Sequence, residues 1–460
     1  MLFSSIVFIY YFLPLLLIVY FIVPKKYKNL VLLLFSLIFY FIGEPKYIII
    51  LLSSCIINYY LGIQIEKKNK PKIFLILAIL YNVIQLLIFK YTDFFIQNIN
   101  NIFHSKIPLL YIVMPIGISF FTFQTLGYVI DIYQKKHSSA KNLLDFMMYV
   151  CLFPQLVAGP IVRYSDIATQ VTNRDINYET FSEGIKRFVI GLSKKVLLAN
   201  VLGEFTQSIL VETVLSSWVK PIFYTLQIYF DFSGYSDMAI GLGLMFGFHF
   251  KENFNYPLIA TSITSFWRKW HISLSSWFRD YIYIPLGGNR VSKVKWFRNI
   301  FIVWFLTGFW HGASWNFIIW GLYFCIILLL EKIFLKKYLD KMKFVNHIYS
   351  LIIIVISFLI FSVNSTTELL DNLKNMFFLN KLPVINHEII YQLKNYLVLF
   401  IVAIIASTPI MSIIIKKLRN TSKLNKVINI LEPIYYLLLL IMSTAFLIDA
   451  SFNPFLYFRF

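Results

Sequence analysis

Charge is what this sequence has least of. Only 14% of its 460 residues are charged and 59% are hydrophobic, whereas a soluble globular domain carries roughly 25% charged residues. That shortage excludes an ordinary soluble domain. Acids are rarer than bases, with 22 Asp and Glu against 42 Lys and Arg, which leaves a net charge of +20. The excess does not imply nucleic acid, because the basic residues sit in short loops between apolar runs, as positive-inside topology requires. Cysteine is scarce too. Cys55, Cys151 and Cys325 lie in apolar surroundings without metal-like spacing and are read as membrane-packing residues. No linker, low-complexity segment, soluble domain or internal repeat is evident.

What fills the chain is apolar runs of about 20 residues, enough to cross a hydrocarbon core at about 1.5 Å per residue. Clear runs lie near 4–23, 30–42, 47–64, 73–89, 109–130, 347–363, 395–415 and 433–449. The run from Ser4 to Val23 lacks a basic n-region and a small-residue cleavage site, so it is expected to be a retained first helix. Residues 147–159, 184–200, 218–248 and 299–330 are apolar but interrupted by glycine, proline and charge. Broken helices at membrane depth survive only where protein or a wet cavity surrounds them. The expected fold is an all-α polytopic membrane protein of about 11 spans, one domain over residues 1–460. Lys25, Lys26 and Lys28 follow the first span, the loop Gly43–Lys46 is balanced, and residues 66–72 are again strongly basic. That alternation predicts an N-terminus outside.

The irregular middle holds the unusual polar residues. Asp231 and Asp237 fall in Tyr229-Phe-Asp-Phe-Ser-Gly-Tyr-Ser-Asp237, inside the apolar 218–248 segment. Ionisable groups in a span either mark a functional site or pin a broken helix. Arg163 is a candidate partner.

Seven histidines occur. His104, His137, His347 and His387 lie in or beside polar loops and His249 ends a span, so these five read as solvated or interfacial rings. His271 lies in the stretch Thr264–Tyr281. Wound as one helix, that stretch places Trp267, Trp270, His271, Leu274, Trp277, Phe278 and Tyr281 on a face about 120° wide. An amphipathic helix of this kind suits an interfacial or re-entrant position. Seven Lys or Arg and one acid, Asp280, lie between Thr261 and Ile300. Such a basic collar serves either an anionic phosphate-bearing donor or lipid headgroups. His311 stands in Gly308-Phe-Trp-His-Gly312, 12 residues past Asn299, roughly 18 Å along a helix and near mid-membrane. The two glycines share one side and allow close helix approach. The histidine is then either part of a packing motif or a buried neutral base.

No acid–histidine–serine order, GxSxG elbow, Walker loop or HExxH motif is present, so an enzyme of this sequence would take its nucleophile from the substrate. Several stretches together resemble the membrane-bound O-acyltransferases, and within them the bacterial alginate O-acetyltransferase type. They are Met114–Phe120, Phe153–Ile161, Tyr229–Asp237, Trp270–Ser275, Arg279–Tyr281, Pro285–Arg290, Trp310–Gly312 and Pro454–Phe458. The resemblance covers essentially the whole chain.

It implies a helical fold with a central tunnel joining the two membrane faces, with His311 as the catalytic histidine and His271 as the second active-site histidine. Trp270, Ser273, Arg279, Asp280, Asp231, Asp237 and Trp310 are the expected substrate-binding residues. The implied activity takes an acetyl group from acetyl-CoA or another cytoplasmic acetyl thioester, with no tightly bound cofactor and no metal. The implied partners are membrane lipids, an extracytoplasmic esterase-like acetyltransferase and a polysaccharide as final acceptor, at a cell membrane. Two alternatives stand beside it. A D-alanyl transfer protein for teichoic acid shares the His271–Ser275 and Trp277–Tyr281 segments. A transporter of a polyanion or lipid-linked sugar would use the same broken helices, but the lack of an internal repeat speaks against it.

Overall fold

The computed structural model describes residues 1–67, 70–157, 159–449 and 453. Lys68, Ala158 and the Pro454–Phe458 motif therefore lie outside the described residues. Among the described residues every regular element is helical. Six helices among the described residues are long and apolar enough to cross a membrane, and a seventh span results if the pair His387–Asn395 and Leu397–Ala406, bent by 56°, is one crossing. The chain is an all-α, multi-pass membrane protein. Some of the apolar runs are divided. The 299–330 run breaks into two helices at residues 312–314, and the 4–23 run is a π-helical turn (Phe8–Phe12) leading into Leu13–Ile22.

The described residues form two compact units, one of Met1–Phe188 with Ser236–Glu252 and the other of Val189–Tyr235 with Asn253–Phe460. In the first, Phe3, Phe8, Phe12, Phe39 and Phe153 pack ring against ring. Polar glue joins three of its helices. Asn58 and Asn82 exchange side-chain hydrogen bonds of 3.3 and 2.7 Å, and the Thr125 hydroxyl donates to Asn82 at 2.8 Å. In a bilayer such groups have no water to fall back on, so they find one another.

Five elements set up the site in the second unit. Helix α1 runs Val214–Met245, of which residues up to Tyr235 belong to this unit. Two short helices follow, α2 at Ile263–Trp267 and α3 at Ile272–Phe278. Helices α4 (Lys293–His311) and α5 (Trp315–Leu330) form a hairpin. Its tightness is explained by glycine. A Cβ on Gly308 would lie 2.4 Å from the Phe317 carbonyl oxygen, and one on Gly321 would lie 2.4 Å from that of Trp304. Helix α4 ends because Gly312 turns extended and leaves room for the Phe317 ring, which would meet a Cβ there at 2.2 Å.

Candidate active site

The stretch 264–281 does not wind as a single helix. α2 stops at Trp267, His271 takes a left-handed backbone (φ +44°), and α3 begins at Ile272. A π-helical turn, Arg279–Tyr283, follows. The break has a hydrogen-bonding cause. The Asn255 amide donates to the Lys269 carbonyl at 2.9 Å, and the Ile272 amide donates to the Asn253 carbonyl at 3.0 Å. Groups that a continuous helix would pair along its own axis are thus taken by the 253–255 segment. At the other end, the buried Glu331 carboxylate accepts from the amides of Ile263 (2.5 Å) and Thr264 (2.9 Å). An acid at the first turn of a helix satisfies orphan amides and suits the helix dipole. α2 and the His271 corner are therefore fixed from both sides.

Into this corner the His271 ring is almost wholly buried, with 1% exposure. Its ring stands nearly perpendicular to that of Phe232 from α1, with centroids 4.6 Å apart, and the Trp310 ring lies 6.3 Å away. His311 is the last residue of α4 and is 5% exposed. Its ring stands edge-on to Trp310 (5.0 Å), Trp320 (4.8 Å) and Phe361 (5.4 Å). Trp310 is thus in contact with both histidines. Phe361 is steadied by the Asn316 amide, which donates to its carbonyl at 3.3 Å. Desolvation pushes the His271 pKa down to about 3, so the ring is neutral at physiological pH.

The other expected residues separate into groups. The Ser273 hydroxyl donates to Asn253 Oδ1 at 2.8 Å and lies 3.5 Å from His271 Nδ1. Trp270 packs against Phe254, Phe266 and Phe358, locking the turn that carries His271. Arg279 and Asp280 form an ion pair with each other (2.6 Å). Asp231 pairs with Lys195 at 2.6 Å, whereas Asp237 lies in the first unit and pairs there with Arg187 at 2.7 Å. Asn253, Lys195, Trp320 and Glu331 did not emerge from the sequence. Asn253 lies 18 residues from the histidine it touches, and no local pattern links them.

A cavity of about 780 Å³ opens in the second unit, and neither histidine lines it. Arg268, Arg279, Lys293 and Lys332 line it with Ser275 and Ser276, and no described lining residue is acidic. Trp267 forms part of its wall and contacts Trp320 at 5.7 Å, and Trp320 in turn touches His311. Two aromatic rings, Trp267 and Trp320, therefore stand between a cationic cavity and the buried His311 imidazole. Among the described residues no group of three His, Cys, Asp or Glu side chains converges to hold a metal ion.

Residues 110–368 match the model of the MBOAT, membrane-bound O-acyltransferase family, which is more than half of the chain and includes both histidines. The chain belongs to the membrane-bound O-acyltransferase family. Its relatives in that family include the protein described as "Probable alginate O-acetylase AlgI" of Pseudomonas aeruginosa, 41% identical over 343 residues, or 72% of this chain and 66% of the relative. The match thus spans just under two thirds of that relative's length. The peptidoglycan O-acetyltransferase of Helicobacter pylori is 33% identical across 100% of this chain and 98% of its own. The teichoic acid D-alanyltransferase of Bacillus subtilis is more distant, at 28% over 53% of this chain and 65% of its own.

Proposed function

We propose that the whole chain acts as one membrane O-acyltransferase domain, relaying an acetyl group from a cytoplasmic thioester to a polysaccharide hydroxyl on the far side of the cell membrane. One observation carries this reading above the rest. Two buried histidines, 40 residues apart in sequence, both contact the Trp310 ring, and the Trp320 and Trp267 rings connect His311 to a cavity with four cationic side chains. The cavity suits an anionic, phosphate-bearing thioester such as acetyl-CoA. At the histidines the acceptor hydroxyl oxygen forms a bond to the thioester carbonyl carbon and the C–S bond breaks. The hydroxyl proton passes through imidazole to the departing sulfur, which leaves as thiol. His311 serves as the base, or as a transient acyl carrier whose nitrogen is acylated and then deacylated by the acceptor. His271 orients the reactants and shares the proton.

Sidedness follows from charge. α4 starts among Lys293, Lys295 and Arg298, and the α5 end of the hairpin is followed by Lys332, Lys336 and Lys337. Positive-inside topology places that end in the cytoplasm, the N-terminus outside, and the His311 turn within or beyond the hydrocarbon core. The names of the relatives favour alginate-like or peptidoglycan glycans as acceptors, delivered through an extracytoplasmic esterase-like partner. D-alanyl transfer to teichoic acid is the second reading, supported by the more distant relative.

Purified protein in oriented vesicles tests this. Radiolabelled acetyl-CoA supplied on the face bearing the Lys67 loop should be consumed, with label appearing on oligo-alginate or peptidoglycan fragments at the other face. His311→Ala should abolish transfer while the protein stays monodisperse. Near-normal acetylation by that variant would end the assignment, and uptake of intact acetyl-CoA without deacylation would make the protein a transporter.

A further inference from the structure

A neutral imidazole carries one N–H and one bare lone pair, so its two tautomers offer a reacting group opposite chemistry. The neighbourhood of His271 selects between them. Asn253 is fully buried. Its backbone carbonyl accepts from Ile272, and its side-chain Oδ1 accepts from the Ser273 amide at 3.1 Å and the Ser273 hydroxyl at 2.8 Å. A backbone amide can only donate, which identifies the atom facing it as the carbonyl oxygen of the Asn253 side chain. The reversed amide would set two donors against each other at 3.1 Å. That same oxygen lies 3.3 Å from His271 Nδ1. The Ser273 hydroxyl proton is committed to the 2.8 Å contact with Oδ1 rather than the 3.5 Å contact with Nδ1. An unprotonated Nδ1 would therefore point its lone pair at an oxygen that has only lone pairs to offer.

We infer that Asn253 is a positioning residue that holds His271 as the Nδ1–H tautomer, so that Nε2 carries the lone pair with which His271 shares the proton that His311 takes from the acceptor hydroxyl. The inference deepens the acyltransferase reading and rests on it for the identity of that proton. The balance is unchanged: the proton leaves the hydroxyl for His311, is shared with Nε2 of His271 and ends on the departing thiolate, and nothing is retained on the enzyme. Asn253 also holds the strained corner itself. A left-handed backbone at a non-glycine residue carries a cost, and here it is offset by two consecutive amides, of Ile272 and Ser273, both bonded to this one asparagine.

The test uses the full chain in three forms: wild type, Asn253→Ala and Asn253→Asp. Asn253→Ala should lower kcat by about 10²-fold, the scale of a general acid–base contribution, with the KM for acetyl-CoA within about twofold of wild type. Asn253→Asp keeps an acceptor oxygen in place and should recover most of that kcat. Its carboxylate should also move the acid limb of the kcat–pH profile upward by favouring the imidazolium, a change that a merely structural asparagine would not produce. Histidine ¹⁵N spectra, with His271 assigned by its loss in His271→Gln, should show Nδ1 protonated in the wild type and mixed tautomers in Asn253→Ala. An Nε2–H ring in the wild type would overturn the inference. So would an Asn253→Asp variant as slow as Asn253→Ala with an unmoved pH profile. Failure of Asn253→Ala to fold leaves the wild-type spectrum and the aspartate variant to decide. Absence of acetyl-CoA turnover by the wild type would refute the acyltransferase reading, and the spectrum would still give the tautomer.

Discussion

The Lys195 ammonium lies 2.6 Å from the Asp231 carboxylate, with only 2% and 3% of the two side chains exposed. The same ammonium donates to Asn200 at 2.8 Å. Breaking a buried pair leaves an uncompensated charge, at a cost of about 3–5 kcal/mol, whereas replacing both partners with apolar groups of similar volume is often neutral. Asp231→Ala should therefore lower the thermal stability of the detergent-solubilised protein sharply, and Lys195→Met with Asp231→Leu should recover most of it. Activity in the double variant then separates the two roles expected for this aspartate. Recovery of transfer identifies a structural pair, and a stable but inactive protein identifies a substrate-binding carboxylate.

The α4–α5 hairpin makes a second prediction, through its backbone. Because the atoms nearest an added Cβ at Gly308 and Gly321 are main-chain oxygens at 2.4 Å, no side chain can rotate away to make room. Gly308→Ala or Gly321→Ala should push the helices apart, at the cost of about 1–3 kcal/mol typical of overpacking. His311 ends the displaced helix and Trp320 sits one residue from Gly321, so turnover should fall further than the melting temperature alone would explain. Parallel melting curves and initial rates would reveal any such excess loss.

Where the sequence was informative, the reason was chemical contrast. His311 and Gly308 stand out because imidazole and a bare backbone are costly or unusual in an apolar run, and the hairpin makes use of both. Where it misled, the cause was a tertiary partner. The 120° stripe on Thr264–Tyr281 assumed that each amide pairs four residues back, but the 253–255 segment takes those bonds and turns His271 out of the helix. Asp231 and Asp237 looked like one feature because they are six residues apart. Their partners, Lys195 and Arg187, lie in another helical stretch that no local pattern connects to them.

Burial of His271 makes acid a specific stress. The folded ring holds its pKa near 3 through desolvation, against 6.5 for an exposed imidazole. Above about pH 6.5 neither state binds the proton, and the residue contributes no pH dependence. Below it the unfolded chain takes up a proton that the folded one refuses, so stability declines as pH falls from about 6.5 toward 3. His271→Gln removes this group, and its melting temperature should fall less than that of the wild type between pH 7 and pH 4. Parallel melting curves for the two proteins over that range would contradict a buried neutral ring.

The cationic cavity makes the last prediction, and its four charges are not equivalent. Arg279 already spends its guanidinium on Asp280 through bonds of 2.6 and 3.1 Å, which leaves Arg268, Lys293 and Lys332 to meet a phosphate. One water-screened charge at about 4 Å is worth roughly 1 kcal/mol, or about fivefold in binding. Arg268→Ala, Lys293→Ala and Lys332→Ala should each raise the KM for acetyl-CoA by about that factor and leave kcat largely unchanged, while Arg279→Ala should do less. Added salt should shrink these differences by screening. An acetyl-pantetheine thioester, which lacks the nucleotide phosphates, should be insensitive to all four substitutions. If the collar seats lipid headgroups instead, the KM values would stay fixed, and the variants would lose the stabilisation that anionic lipid gives the wild type. Steady-state kinetics with the two thioesters, at low and high salt, distinguishes a donor pocket from a lipid anchor.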